Sequence, residues 1–280
     1  MKLPNFGYHL ARAEARAIRT AYAATLSGVS PGTKSAPHAV DLDLCSYSSE
    51  ASLREQAASI RSFLRHAGRP RSFTVYSDGT HSADSLKALR GLDRCVQVAA
   101  VPRPEVQGAT ASMCSYWQTD PTGRQLALMM SLPVERPTLY VDSDVLFFAG
   151  AKNIEESLCQ SSARALYLSD CQLSADERLF HSIAERGDAV NTGIIFFRAP
   201  LDWSVAVERL RELQGSPTFF TNQTLTHLVM HANNAAPLDP RKFVLQLDDQ
   251  FIYRDLHARP EIIARHYVNP VRHKFWTALL

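Results

Sequence analysis

The chain has few cysteines, no long apolar run and no surplus of either charge. Its five cysteines, Cys45, Cys95, Cys114, Cys159 and Cys171, are scattered and odd in number, and none forms a Cys-x-x-Cys pair. Such a set reads as reduced, mostly buried thiols of a cytoplasmic protein. No apolar stretch approaches the roughly 20 residues that span a bilayer. The start, Met1 to Asn5, has no signal-peptide apolar core, so Asn222-Gln223-Thr224 is read as a coincidental glycosylation sequon. Lys and Arg total 30 against 28 Asp and Glu, a net charge of +2, which gives no electrostatic case for a nucleic-acid partner. Gly-x-Gly-x-x-Gly and Walker patterns are both missing, which argues against a dinucleotide cofactor or a P-loop nucleotidase. What remains is 280 residues, 45% of them hydrophobic, enough for a sizeable core in one large domain or two small ones.

The order of elements reads as α/β. An Ala- and Arg-rich helix is predicted over residues 8–27, with Leu10, Ala13, Ala17, Ala21 and Ala24 on its apolar face and its arginines solvated. A linker follows at Ser30 to Ser35. We therefore divide the chain into an N-terminal helix and linker, 1–35, and one domain, 36–280. From His38 to Val101 the pattern runs strand, helix, strand, helix, strand, which implies parallel β-α-β units. Ligands of such sheets bind beyond the carboxyl ends of the strands, here Tyr47 and Asp78-Gly79. Farther on, a helical pattern runs from Ala109 to Leu132, with Trp117 near its middle, an interruption at Pro121-Thr122-Gly123 and a buried face of Leu126, Leu128, Met129, Met130 and Leu132. Further helices are predicted at Asn153 to Cys159, at Ala175 to Arg186 and at Leu201 to Leu213. Strands are predicted at Arg164 to Asp170, Lys242 to Leu247 and Ile262 to Asn269.

The stretch Thr138-Leu139-Tyr140-Val141-Asp142-Ser143-Asp144-Val145-Leu146-Phe147-Phe148 carries the chemistry. An apolar run of this kind is a buried strand, yet two carboxylates interrupt it one residue apart. Ionised carboxylates in apolar surroundings are paired, hydrogen-bonded or metal-bound. Two of them at a strand's end make an oxygen site for Mg²⁺ or Mn²⁺, shared with phosphates. A plain strand-to-loop turn with two surface aspartates is the simpler alternative.

An apolar strand ending in Asp-x-Asp, midway along such a chain, resembles the metal motif of GT-A-fold glycosyltransferases. Asp188 to Arg198 resembles the Phe-Asn-x-Gly strand of the glycogenin-like and bacterial galactosyltransferase-like families, with Val190 for phenylalanine. Asn222-Gln223 resembles their Asp-Gln helix start, with Asn222 for the acid. His266 resembles the histidine that completes the metal site. Lys274-Phe275-Trp276 stands for the family's Lys-Pro-Trp, farther along than usual.

The resemblance implies a fold and a set of roles. The fold is a single Rossmann-like GT-A domain with a central mixed, mostly parallel sheet and helices on both faces. Asp142, Asp144 and His266 would hold Mn²⁺ or Mg²⁺. Asp142, Arg124 and Lys274 would meet the donor diphosphate, and Tyr47 and Asp78 its base or ribose. Gly193 would let the backbone approach closely, Asn191 would bond sugar hydroxyls, and Gln223 would lie by the anomeric carbon. Tyr47 packing on a helix, Asp78 as a turn residue and Arg124 in a salt bridge are the structural alternatives. The activity implied is metal-dependent transfer, with retention, from a nucleotide-diphosphate donor such as a UDP-sugar to an acceptor of unknown kind. A non-catalytic sugar-nucleotide or glycan binder and an aspartyl-nucleophile phosphatase are the other readings.

Overall fold

The computed structural model describes residues 5–26 and 38–279; the expected linker lies outside them. Helix α1 (Phe6–Ala24) comes first. Strands β1 (Ala39–Ser48), β2 (Arg69–Ser77) and β3 (Val96–Ala100) then pair in parallel, with α2 (Leu53–His66) and α3 (Ala83–Arg90) between them. The helical pattern before the acidic motif divides into α4 (Ala111–Thr119) and α5 (Pro121–Ser131). The break lies at Pro121, which takes the first helical position while the Asp120 carboxylate accepts from Thr122 N at 2.8 Å and Gly123 N at 3.1 Å.

β4 (Thr138–Val141) joins the sheet parallel to β1. β5 (Val145–Phe147), α6 (Ile154–Cys159), β6 (Ala165–Ser169), β7 (Val190–Phe197), α7 (Ser204–Glu212) and α8 (Thr221–Ala232) follow. The chain closes with β8 (Ala236–Pro237), β9 (Phe243–Val244), β10 (Ala264–His266) and α9 (Arg272–Ala278). The main sheet has seven strands in the order β3-β2-β1-β4-β7-β6-β8, with β7 antiparallel to both neighbours. A three-stranded sheet, β5-β10-β9, lies beside it.

Both faces of the main sheet are covered, which explains its unbroken apolar runs. On one face Leu44, Leu139, Val141 and Phe196 pack with Ile60 and Phe63 of α2. On the other Cys45, Tyr140, Ile195 and Phe197 meet Leu128 and Met129 of α5 and Met230 of α8. Burying one such large apolar side chain stabilises by about 1.5–3 kcal/mol, so the strand ends inherit a rigid base.

Three expectations change. All five residues assigned to the apolar face of α1 are exposed, and Ala11 and Ala15 are buried instead. Ala15 packs with Ala58 of α2 and with Phe275 and Trp276 of α9, so small side chains let α1 lie close on the domain. Residues 175–186 form no α-helix, only the 3₁₀ turns Glu177–Leu179 and Ile183–Glu185. Tertiary bonds take the polar groups a helix would use: Asp176 N donates to Thr224 Oγ1 at 2.8 Å, and His181 N donates to Glu185 Oε2 at 2.7 Å. All five cysteines are free, but Cys159 and Cys171 are exposed rather than buried. No helix among the described residues is long and apolar enough to cross a membrane.

Candidate active site

Asp142 and Asp144 sit where β4 turns into β5. The turn is closed by Asp142 N donating to Gly193 O at 2.8 Å and by Val145 N donating to Asp142 O at 3.2 Å. His266 arrives from the small sheet, placed by the pairing of His266 with Val145 and by Tyr267 N donating to Asp144 O at 2.9 Å. Its Nε2 lies 3.1 Å from Asp144 Oδ1 and 3.6 Å from Asp142 Oδ2. One ligand atom from each of the three residues lies within 4.8 Å of the others. Two oxygens and an imidazole nitrogen make a donor set suited to Mn²⁺ or Mg²⁺.

The partners of these groups tune them unequally. Asp142 Oδ1 accepts from Tyr140 Oη at 2.7 Å and from Gln125 Nε2 at 2.8 Å. Burial raises its pKa to about 6, against the opposing charge of His266 and with the like charge of Asp144. At Asp144 burial pushes the same way, but His266 and the Arg272 guanidinium on Oδ2 overcome it and hold the pKa at about 2. Burial alone would lower the pKa of His266, and the two carboxylates raise it instead. The other ring nitrogen, Nδ1, donates to Asn191 Oδ1 at 2.8 Å. That bond fixes the ring and leaves Nε2 as the nitrogen facing the carboxylates.

Asn191 and Gly193 are committed to this arrangement. Asn191 Oδ1 also accepts from Gly193 N at 2.9 Å, and its Nδ2 donates to Asp170 Oδ2 at 2.9 Å. The amide expected to meet sugar hydroxyls is therefore engaged on both sides. A Cβ on Gly193 would lie 2.1 Å from His266 Cε1. The open flank of the glycine is filled by the imidazole.

The cluster forms part of the wall of a cavity of about 540 Å³ beyond the ends of β1 and β4. Tyr47 lines it with its hydroxyl buried, and burial raises the pKa of that phenol to about 12 against the pull of the neighbouring Arg124 guanidinium. Gln223 lines it too: Nε2 donates to Asp170 Oδ2 at 3.1 Å, which leaves Oε1 without a partner among the described residues. Phe219 and Phe220 complete that side, 67% and 38% exposed.

Three expected residues lie elsewhere. Asp78 closes its own turn, accepting from Thr80 N at 2.9 Å and Thr80 Oγ1 at 2.7 Å, and does not line the cavity. Arg124 also stays out of it, donating to Gln118 O at 2.7 Å and Asp78 O at 2.8 Å. Lys274 is fully buried and donates to the Ile252 and Arg254 carbonyls at 2.7 and 2.6 Å. On α9 it is Arg272 that reaches the cavity.

Gln125, Asp170 and Arg272 are the site residues that motif reading passed over. Asp170 carried a signal, an acid ending an apolar strand. Gln125 carried none, being recruited across 97 residues when Asn222 Nδ2 donates to its Oε1 at 2.9 Å. An amide at position 222 can make this bond. A carboxylate could not donate to Gln125 Oε1, the contact that turns Nε2 toward Asp142.

No protein family, as described by its sequence profile, matches this chain, and no curated protein matches it. Solved structures do. The galactosyltransferase LgtC, in complex with donor and acceptor sugar analogues, is 12% identical with a TM-score of 0.56, over 85% of this chain and 95% of that one. Mouse xyloside xylosyltransferase 1 is 13% identical with a TM-score of 0.53, over 83% of this chain and 99% of that one. The glycosyltransferase GlyE of Streptococcus pneumoniae TIGR4 is 13% identical with a TM-score of 0.52, over 87% of this chain and only 61% of that one. The fold is that of the GT-A glycosyltransferases.

Proposed function

We propose that this chain, folded as GT-A transferases are, is a metal-dependent glycosyltransferase that takes a sugar from a nucleotide-diphosphate donor, a UDP-sugar. The observation that carries the reading is the convergence of Asp142, Asp144 and His266 at a cavity beyond parallel strand ends, with the His266 ring held through Nδ1 by Asn191. The donor set fits Mn²⁺, which a neutral imidazole beside two carboxylates suits. When bound, such an ion supplies positive charge to the departing diphosphate.

The chain's own residues would do the rest. Tyr47 offers an aromatic face to the base. Arg272 is the cavity cation available to the diphosphate once Asp144 engages a metal. Gln223 Oε1 points no donor of its own at the reacting carbon and can face positive charge developing there. In the reaction the acceptor hydroxyl oxygen bonds the anomeric carbon. The sugar–phosphate bond breaks, the diphosphate leaves with the electron pair, and the hydroxyl proton passes to it or to water. We infer retention by attack on the face the diphosphate leaves. Asp170, the carboxylate bonded to Gln223, already accepts two amide N–H groups on Oδ2, a poor state for a nucleophile. The five free thiols fit a reducing compartment, the cytoplasm.

The test is turnover of a UDP-sugar panel with Mn²⁺, read as UDP release. Metal-dependent release with no cleavage of p-nitrophenyl phosphate is expected. Phosphomonoester cleavage would assign the site to phosphatase chemistry, and tight UDP binding without release would make the protein a binder.

A further inference from the structure

A second cleft, of about 530 Å³, opens beside Asp144 between α1, the start of α2 and α9. Ser49, Ser52, Ser143, Asp144, Asn269 and Arg272 line both this cleft and the main cavity. The two spaces therefore meet at the proposed metal site. Arg12, Arg16 and Arg19 form one wall, spaced along a single face of α1. Arg19 is committed to Glu55, with Nε and Nη2 at 2.6 and 3.1 Å from its two oxygens. The other two are not neutralised. Arg12 donates to Tyr8 Oη at 3.2 Å and lies over that ring, and Arg16 has no side-chain partner among the described residues. His273, also in the lining, keeps Nε2 buried and unpartnered.

The charge balance of the lining is positive: Arg12, Arg16, Arg19 and Arg272 face only Glu55 and Asp144. Guanidinium forks facing a shared space match the oxygens of phosphate. The donor diphosphate does not account for them, because Arg12 and Arg16 do not line the main cavity. Resting on the transferase reading, we propose that this cleft binds a phosphate group carried by the acceptor, so that the sugar goes to a hydroxyl of a phosphorylated acceptor. The phosphate is held and not transferred.

The experiment is a calorimetric titration of glycerol 3-phosphate into the full chain saturated with UDP and Mg²⁺. It is run on the wild type, on Arg12→Gln/Arg16→Gln and on Arg12→Lys/Arg16→Lys. One glycerol 3-phosphate site is expected, weakened at least tenfold in the glutamine pair and partly restored in the lysine pair, with UDP affinity unchanged within twofold. Equal affinity in the wild type and the glutamine pair would overturn the proposal. So would a tenfold loss of UDP affinity in that pair, which would give the cleft to the donor. Acetate binding as tightly as glycerol 3-phosphate would overturn the phosphate assignment. A parallel titration without nucleotide separates the two readings. Arginine-dependent phosphate binding in a chain that binds no UDP upholds the cleft as a phosphate site and overturns the transferase reading.

Discussion

Strand β10 separates two charged clusters that differ in whether they are closed. On one side Arg265, itself fully buried, bonds both oxygens of Asp249 at 3.0 and 3.1 Å and also reaches Asp255. Lys274 lies 3.7 Å from the same Asp249. Two cations meet two anions, and their remaining donors go largely to carbonyls, including Gln246 O. On the other side His266 faces Asp142 and Asp144, with Arg272 half exposed at 50% and a cavity in front. Neighbouring residues of one short strand thus serve opposite ends. A buried charge whose partners are all protein holds the fold together. One whose partners leave a face to a cavity is available for chemistry.

Breaking the closed cluster should produce the largest effect. Arg265→Met strips Asp249 and Asp255 of their shared guanidinium and leaves only Lys274, 3.7 Å away, facing Asp249, and should destabilise the protein by about 3–5 kcal/mol, read from denaturant unfolding. A loss below about 1 kcal/mol would mean that the pair is not structural.

Gln223→Ala should act on turnover alone, lowering kcat by roughly tenfold to a thousandfold while donor Kd stays within a few-fold. Steady-state kinetics on donor hydrolysis measures both, and an unchanged kcat would remove Gln223 from the reacting centre. Asn191→Ala frees the His266 ring and should weaken metal affinity by roughly ten to a hundredfold, with KM for the sugar following from that loss. Gly193→Ala should do the same by displacing the imidazole. A metal titration that left both variants at wild-type affinity would make their bonds incidental.

The smallest effect sharpens the contrast. Lys274→Met belongs to the closed cluster, so its UDP affinity should stay within about twofold of wild type once folded, while stability falls because Asp249 loses a neighbour. A large selective loss of UDP binding would return Lys274 to the donor site.

How much of this was legible follows from the range of each interaction. The parallel strands and the acidic turn show in the sequence because apolar runs and an interrupting Asp-x-Asp are local features. His266 was found through its resemblance, and its register with Val145 is consistent with that assignment. Gly193 stands out in the sequence as a glycine beside the motif, but that its flank is taken by the His266 ring from another sheet depends on tertiary packing. Lys274 and Arg272 lie two positions apart on one helix, and only the packing of α9 decides which faces inward. The face of α1 was misread because alanines occur all around that helix and carry little directional information. The arginines of the same helix, expected to be solvated, include Arg12, Arg16 and Arg19 of the second cleft, because the packing of Ala11 and Ala15, which no local pattern carries, sets which of them face the domain.

The central claim is that Asp142, Asp144 and His266 form a metal site that holds the donor diphosphate. Calorimetry of UDP with and without Mn²⁺, on wild type and Asp144→Asn, tests it most directly. Wild-type UDP binding should depend on Mn²⁺, and a folded Asp144→Asn protein should lose at least about a hundredfold of that affinity. The same UDP affinity in both proteins, with the metal making no difference, would contradict the account.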